Sequence, residues 1–183
     1  MSVRDTMVAS AAALFRQRGV AGTSLRDVVA HAGAPRGSIY HHFPGGKAEL
    51  ANAATDLAGG FIERLLTGVL DSGDPAGAIT AFVDYWSRSL TAHDFADGCP
   101  VAAAAVSSDE TAGARARAGR AFARWQEQLA TALMARGMAS DLAVDRAGLA
   151  IAAVEGALLV ARAQRSTEPL ERVARQLTPL LAS

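Results

Sequence analysis

One cysteine, one lysine and few aromatic side chains (six Phe, two Tyr, two Trp) mark what this 183-residue sequence is short of. With Cys99 alone, an internal disulfide framework and a cysteine-rich zinc site are both excluded. The scarcity of aromatic and β-branched residues excludes a fold built mainly from strands. The apolar run around residues 149–161 is interrupted by Glu155 and flanked by Arg146 and Arg162, too short and too charged to cross a bilayer. An excess of one charge is missing as well: 18 basic residues face 18 acidic ones. Net charge therefore offers no general attraction to nucleic acid or to a membrane surface. The start, MSVRDTMVASAAALF, carries Asp5 inside a helix-like pattern that runs on through Arg16 and Arg18. That is unlike a cleaved signal peptide, so a cytoplasmic chain is expected.

What is abundant is alanine, 42 residues, and arginine, 17 of the 18 basic residues. Alanine has the highest helix propensity, so the composition predicts an all-α fold. The length suits one compact domain, or a small module feeding a larger one. Charge is unevenly spread. Residues 1–50 hold six basic side chains against three acidic ones, plus His31, His41 and His42, while the remainder is mildly acidic. A basic head on an acidic body is a common division between a DNA-binding module and a sensing or dimerising one.

Local signals predict about nine helices. Val3 to Arg18 carries Val3, Met7, Ala11, Leu14 and Phe15 near one face, and Gly19 stops it. Ser24 and Asp27 have capping-box spacing before a short helix with Leu25, Val28 and Val29 inward, ending at Ala32-Gly33. Pro35 suits the first residue of a third helix reaching Phe43, with Ile39 and Phe43 sharing the buried side. Lys47 opens a long helix to about Leu70, closed by Asp71-Ser72-Gly73. Asp74 is read as a cap and Pro75 as the start of a helix to about Ala92. A loop spans His93 to Pro100, a short helix Val101 to Val106, and a break Ser107 to Thr111. The following helix runs to about Arg136, and Gly137 to Ser140 forms a loop. Asp141 or Val144 begins a helix to about Arg165, and Pro169 begins the last, ending near Leu181.

Two short apolar-faced helices joined at Ala32-Gly33-Ala34 make a helix-turn-helix. By spacing alone the same pattern fits an ordinary αα corner. The stretch from Gly22 to Phe43, GTSLRDVVAHAGAPRGSIYHHF, followed by Lys47, resembles the DNA-binding domain of the tetracycline-repressor (TetR) family over roughly residues 3–61. The shared features are a Thr/Ser-rich start, an apolar helix, Ala-Gly, and a recognition helix ending in Gly-x-hydrophobic-Tyr-x-His-Phe. Pro35 stands where a capping Ser is usual, and Pro44-Gly45-Gly46 adds one residue before Lys47. Both departures, with Gly98-Cys99-Pro100, resemble the LmrA/YxaF-like branch, whose known members repress multidrug-efflux or flavonoid-response genes.

The resemblance implies a homodimeric all-α repressor. Residues 1–61 would form the DNA-binding domain, with the helix-turn-helix at about 24–43. Residues 62–183 would form the ligand-binding and dimerisation domain, pairing through the last two long helices. On double-stranded DNA, Arg36 and Ser38 are expected to reach base edges or phosphates, and Gly37 to let the backbone approach the groove. Tyr40, His42 and Lys47 match positions that contact phosphates or sugars, with His41 and Arg26 beside them. Ser24 caps helix two, whose N-terminal N–H groups can face a phosphate.

His41 and His42 are neighbours and point about 100° apart, with no carboxylate or cysteine at a complementary spacing, so no metal site is expected. No cofactor is expected either. Nucleophile elbow, phosphate loop and paired catalytic carboxylates are all missing, which argues against an enzyme. Phe82, Tyr85 and Trp86 lie at i, i+3 and i+4, and Phe122 with Trp125 repeats the i, i+3 step. In an alanine-rich body these are candidates to line an apolar small-molecule pocket, with Cys99 a further candidate; core filling is the alternative. Gly148, Ala152 and Gly156, each four apart, form a smooth strip where another helix could come close. The combined expectation is a ligand-responsive repressor on a palindromic operator, released by a small apolar or aromatic effector. Its rival is an all-α enzyme or small-molecule carrier whose N-terminal corner binds no DNA.

Overall fold

The structure, a computed structural model, describes residues 2–71 and 74–182. Among these residues it is all-α, and the expected count of nine helices is borne out: α1 Val3–Arg18, α2 Leu25–His31, α3 Ile39–His42, α4 Gly46–Leu70, α5 Pro75–Ala92, α6 Pro100–Ala105, α7 Ala112–Ala135, α8 Ser140–Gln164 and α9 Glu168–Ala182. A single 3₁₀ turn, Asp109–Thr111, precedes α7. The expected closure of α4 at Asp71-Ser72-Gly73 falls partly on Ser72 and Gly73, which lie outside the described residues.

The chain divides into two compact units: Met1–Phe61 with Cys99–Ala121, and Ile62–Gly98 with Phe122–Ser183. In the first unit, Ser2 and Asp5 close a capping box on α1, each side chain bonding the other's backbone N–H at 3.1 Å. Met7, Ala11, Leu14 and Phe15 turn inward from α1. They join Val28 and Val29 of α2, Ile39, Phe43, and Leu50, Ala51 and Ala54 of α4 in the buried set. The α1 helix packs against both α2 and α6. Cys99 caps α6, its sulfur accepting from the Ala102 N–H at 3.4 Å, and Pro100 fills the first helical position, where a missing N–H costs nothing.

In the second unit α5 packs on α9 and α8, and α8 on α9. Alanine supplies much of the buried face of α8 (Ala143, Ala147, Ala150, Ala157, Ala161), so its neighbours can approach closely, while α9 contributes Leu170, Leu177 and Leu181. Asp74 occupies the N-cap position of α5 but makes no capping bond. Its carboxylate lies over Gly77 instead, 2.3 Å from where a Cβ would sit. The end of α8 is tied to the α5–α6 loop by Arg165. Its guanidinium donates to the Asp94 carbonyl at 3.0 Å, pairs with the Asp94 carboxylate, and lies 5.7 Å over the Phe95 ring. Asp94, Phe95 and Arg165 all hold positive φ (51°, 58° and 52°), a strained backbone for side-chain-bearing residues that these mutual contacts stabilise.

Candidate functional site

The helix-turn-helix is built from local signals. Ser24 and Asp27 form a reciprocal capping box. The Ser24 hydroxyl accepts from the Asp27 N–H at 3.2 Å, and the Ser24 N–H donates to the Asp27 carboxylate at 2.8 Å. The Ser24 hydroxyl also donates to that carboxylate at 2.6 Å. These bonds, the hydroxyl's first, hold the Asp27 carboxyl below its ordinary pKa. At the other end α2 closes in a Schellman motif. Ala34 N–H donates to Val29 O at 3.1 Å and Gly33 N–H to Ala30 O at 3.2 Å, with Gly33 at φ +61°. A positive φ costs glycine no Cβ clash, which explains its place in the turn.

The recognition segment differs from the sequence reading. The expected third helix from Pro35 begins only at Ile39 and lasts to His42. Pro35 to Ser38 forms a turn in which both the Ser38 N–H (3.0 Å) and its hydroxyl (2.7 Å) donate to the Pro35 carbonyl. Glycine disfavours helix, and a serine hydroxyl competes for backbone carbonyls, so Gly37-Ser38 delays the helix by one turn. Arg36 and Gly37 are exposed and Ser38 half-buried, all three ahead of α3 rather than along it. Ile39 and Phe43 anchor α3 in the core, with the Arg4 guanidinium 4.9 Å over the Phe43 ring. Tyr40 is 66% exposed, His41 exposed and His42 half-buried, the two imidazoles meeting edge-on at 5.1 Å. Arg26 is exposed on α2.

Lys47 is half-buried and donates to the Ala21 carbonyl at 3.4 Å, bracing the α1–α2 loop against α4. An ammonium has three donors, so this bond leaves two for another acceptor. Glu49 reaches back to the Gly45 N–H at 2.9 Å and lies 4.0 Å from Arg4. Neither contact was legible beforehand, because Lys47 and Ala21 are 26 residues apart and Gly45–Glu49 depends on the turn before α4. Together, α2, the turn and α3 expose the guanidiniums of Arg26 and Arg36, the hydroxyls of Ser24 and Tyr40 and the imidazole of His41. Such groups can donate to phosphate oxygens and base edges.

The expected ligand residues separate into two sets. Phe82, Trp86 and Trp125 are buried and Tyr85 and Phe122 half-buried, all five in the second unit. Cys99 is buried but starts the stretch that belongs to the first unit. Trp86 meets Tyr85 edge-on at 5.0 Å and Phe82 at 6.2 Å, and Phe122 meets Trp125 at 5.1 Å. The Trp86 indole N–H has no protein acceptor within hydrogen-bond reach although the residue is 1% exposed, a condition that ordinarily costs about 1–3 kcal/mol. One group the sequence reading missed is Asp97, fully buried. It accepts from the Ser89 hydroxyl at 2.9 Å and lies 2.8 Å from His93 Nδ1. A separate open groove of about 480 Å³ in the second unit is lined by Glu63, Thr67, Arg124, Gln128 and neighbours, none of them an expected ligand residue. Among the described residues no cluster of three or more His, Cys, Asp or Glu could hold a metal ion, and no helix is long and apolar enough to cross a membrane.

An all-α chain whose N-terminal unit is a helix-turn-helix with exposed cationic and polar side chains defines a DNA-binding regulator. Residues 8–54 match the family described as bacterial regulatory proteins, tetR family, and residues 75–176 match the C-terminal domain of LmrA/YxaF-like transcriptional regulators. The chain is 39% identical, over 97% of its length and 93% of the relative, to the uncharacterized HTH-type transcriptional regulator Rv0196 of Mycobacterium tuberculosis. It is 31% identical to the HTH-type regulator YxaF of Bacillus subtilis, over 97% of its length and 94% of that protein. The crystal structure of a TetR transcriptional regulator from Chloroflexus aurantiacus superposes with a TM-score of 0.75 at 32% identity, covering 99% of this chain and 94% of that one. The chain belongs to the TetR family of transcriptional regulators, in its LmrA/YxaF-like branch.

Proposed function

We propose that this chain is a ligand-responsive repressor that binds a palindromic operator as a homodimer and leaves it when a small apolar or aromatic effector binds. Residues 1–61 carry the DNA-binding function and residues 62–183 the ligand and dimer functions. The observation that supports the DNA half most directly is the Schellman turn at Gly33, followed by the exposed Arg36-Gly37 turn, which presents both residues ahead of an anchored helix. Arg36 is the base reader, and Ser24, Arg26, Ser38, Tyr40, His41, His42 and Lys47 fix register on phosphates and sugars. Gly37 lets the backbone come close.

One head offers few base contacts, so two are needed on half-sites about one helical turn apart. The surface that suits self-association runs along α8. Asp145, Leu149, Ala152, Gly156, Leu159 and Ala163 recur at steps of four and three residues and are all exposed, Leu159 to 70%. A Cβ at Gly148 or Gly156 would meet nothing within 4 Å, so the strip is open to a close second helix. Beyond Asp145 the strip is apolar and heptad-spaced, which fits an isologous helix pairing.

The effector acts by population shift, preferring a dimer whose heads are too far apart for successive grooves. A 100-fold release of DNA needs roughly 2.7 kcal/mol of preference for that form. The test is selection of bound sequences from random DNA, then a mobility shift on the recovered sites and on the DNA upstream of the chain's own gene. Recovery of an inverted repeat held by a dimer is the expected result. Enrichment of no sequence, or equal binding of a single half-site by a monomer, rejects the reading.

A further inference from the structure

We propose that Arg4 is a positioning residue for DNA recognition: it holds the recognition segment in its binding conformation through Phe43 and Glu49 and does not itself touch the DNA. This rests on the reading of the helix-turn-helix as the element that recognises DNA, and adds a residue from outside that element. The recognition helix has little to hold it locally. It is four residues long, Ile39–His42, and a single helical turn fixes more backbone than its own hydrogen bonds can stabilise. The chain then enters Pro44-Gly45-Gly46, where two successive glycines leave the backbone free to take many conformations. Contacts from other elements close this stretch. The Glu49 carboxylate of α4 accepts the Gly45 N–H at 2.9 Å, and its side chain lies so near that a Cβ on Gly45 would stand 3.2 Å from it. The Gly46 N–H donates to the Phe43 carbonyl at 2.9 Å, and the Phe43 N–H to the Ile39 carbonyl at 2.8 Å. Arg4 bridges the two sides, its guanidinium 4.9 Å over the buried Phe43 ring and 4.0 Å from the Glu49 carboxylate.

Arg4 serves its own helix poorly. It projects from the first turn of α1, which the Ser2–Asp5 capping box fixes, and a cation beside the positive end of a helix dipole weakens that helix. Its ion pair adds little to the stability of the whole fold, because both side chains are more than a third exposed (46% and 37%). A residue at odds with its local setting is expected where function is served. A cation over a ring face and beside a carboxylate holds those two groups at a fixed spacing, and here they flank the end of α3. The clamp therefore acts on the share of molecules whose recognition segment is ready to bind, and leaves global stability nearly unchanged.

The test compares Arg4→Met, which keeps a long side chain without its charge, and Arg4→Lys with the parent, all as full-length protein. Binding is titrated by anisotropy on a selected operator and on DNA of unrelated sequence, each at several salt concentrations. A segment left competent in about a tenth to a third of molecules lowers apparent affinity about three- to tenfold. For Arg4→Met that loss is expected on the operator alone. Non-specific affinity and the salt slope should stay as in the parent, because no phosphate contact is removed. Amide exchange at Phe43 and Gly46 should quicken with Tm within about 1–2 °C of the parent, and Arg4→Lys should restore most of the operator affinity. Glu49→Gln removes the charge that Arg4 pairs with, and should speed the same amides and narrow the gap between operator and unrelated DNA. It decides the question even if Arg4→Met folds poorly. Equal loss on both DNAs, with a salt slope lowered by about one ion, makes Arg4 a phosphate contact and overturns the proposal. Unchanged operator affinity in both Arg4→Met and Glu49→Gln overturns it too, and leaves the helix-turn-helix reading standing. A parent protein with no sequence preference defeats that reading and this proposal together.

Discussion

Gly37→Ala should raise the stability of this protein while weakening its hold on DNA, because one added methyl group acts with opposite sign on the two properties. Gly37 is exposed, its φ lies outside the positive region, and a Cβ built on it meets nothing within 4 Å. Alanine can therefore adopt the native conformation without strain, and its unfolded chain has fewer conformations to lose. Substitutions of this kind stabilise by about 0.4–1 kcal/mol, or roughly 1–4 °C in Tm for a chain of this size. The neighbouring glycine in the turn behaves otherwise. Gly33 is also unobstructed, but its φ of +61° places alanine in the left-handed region, so Gly33→Ala should cost about 1–2 kcal/mol and lower Tm. On DNA, a methyl at residue 37 holds the backbone of the turn away from the groove, and a loss of about tenfold or more in affinity is expected. Circular-dichroism melts at fixed protein concentration and anisotropy titrations on the selected operator read the two effects separately. A lower Tm for Gly37→Ala would refute the backbone argument. Unchanged DNA affinity would refute the placement of Gly37 at the groove.

Arg36→Ala should cost about 1–3 kcal/mol on the preferred site and relax base choice at one position, whereas Lys47→Ala should weaken all sequences alike and lower the salt slope by about one ion. Because Lys47 also donates to the Ala21 carbonyl, Lys47→Ala should lower Tm slightly as well; identical DNA profiles for the two variants would contradict the division into reader and positioner. The Asp27 carboxyl is held below its ordinary value by Ser24, so its cap contributes stability above the unfolded carboxyl's pKa, and that contribution is lost as pH falls through the lower folded value. An NMR titration should place the Asp27 midpoint below that of an ordinary aspartate, and Ser24→Ala should return it upward; an unmoved midpoint in the variant would remove the assigned cause. Leu159→Glu places a charge in the middle of the exposed α8 strip, and sedimentation at micromolar concentration should show monomers with weak operator binding; a dimer indistinguishable from the parent locates the pairing surface elsewhere.

Much of the fold was legible because its signals are local. Gly19, the Ser24–Asp27 pair, Pro75, Pro100 and Gly137 each act on backbone within a turn of themselves, and each marks a helix boundary close to where one occurs. The buried set Met7, Ala11, Leu14, Val28, Val29 and Ile39 follows from apolar spacing, since a helix can turn only one side inward. The start of α3 was read one turn early because Pro35 is compatible with either a helix or a turn, and the choice went to the Ser38 bonds on the Pro35 carbonyl.

Other features arise only when distant segments meet. Cys99–Ala121 belongs to the first unit although Ile62–Gly98, just before it in the chain, belongs to the second, and no periodicity in that segment signals it. Lys47 reaches Ala21 across 26 residues, and Arg165 holds Asp94 across 71. The unpaired Trp86 N–H is likewise a property of the packed state: sequence spacing gathers Phe82, Tyr85 and Trp86, but only assembled helices decide whether a carbonyl comes within reach of the indole. Capping and periodicity are short-range energies written residue by residue, whereas burial, ion pairs between helices and unmet donors depend on which faces are pressed together. That is why the sequence by itself determined the helices and the family, and tertiary structure alone decided the reach of Lys47 and Arg165, the unit that holds Cys99 and the state of Trp86.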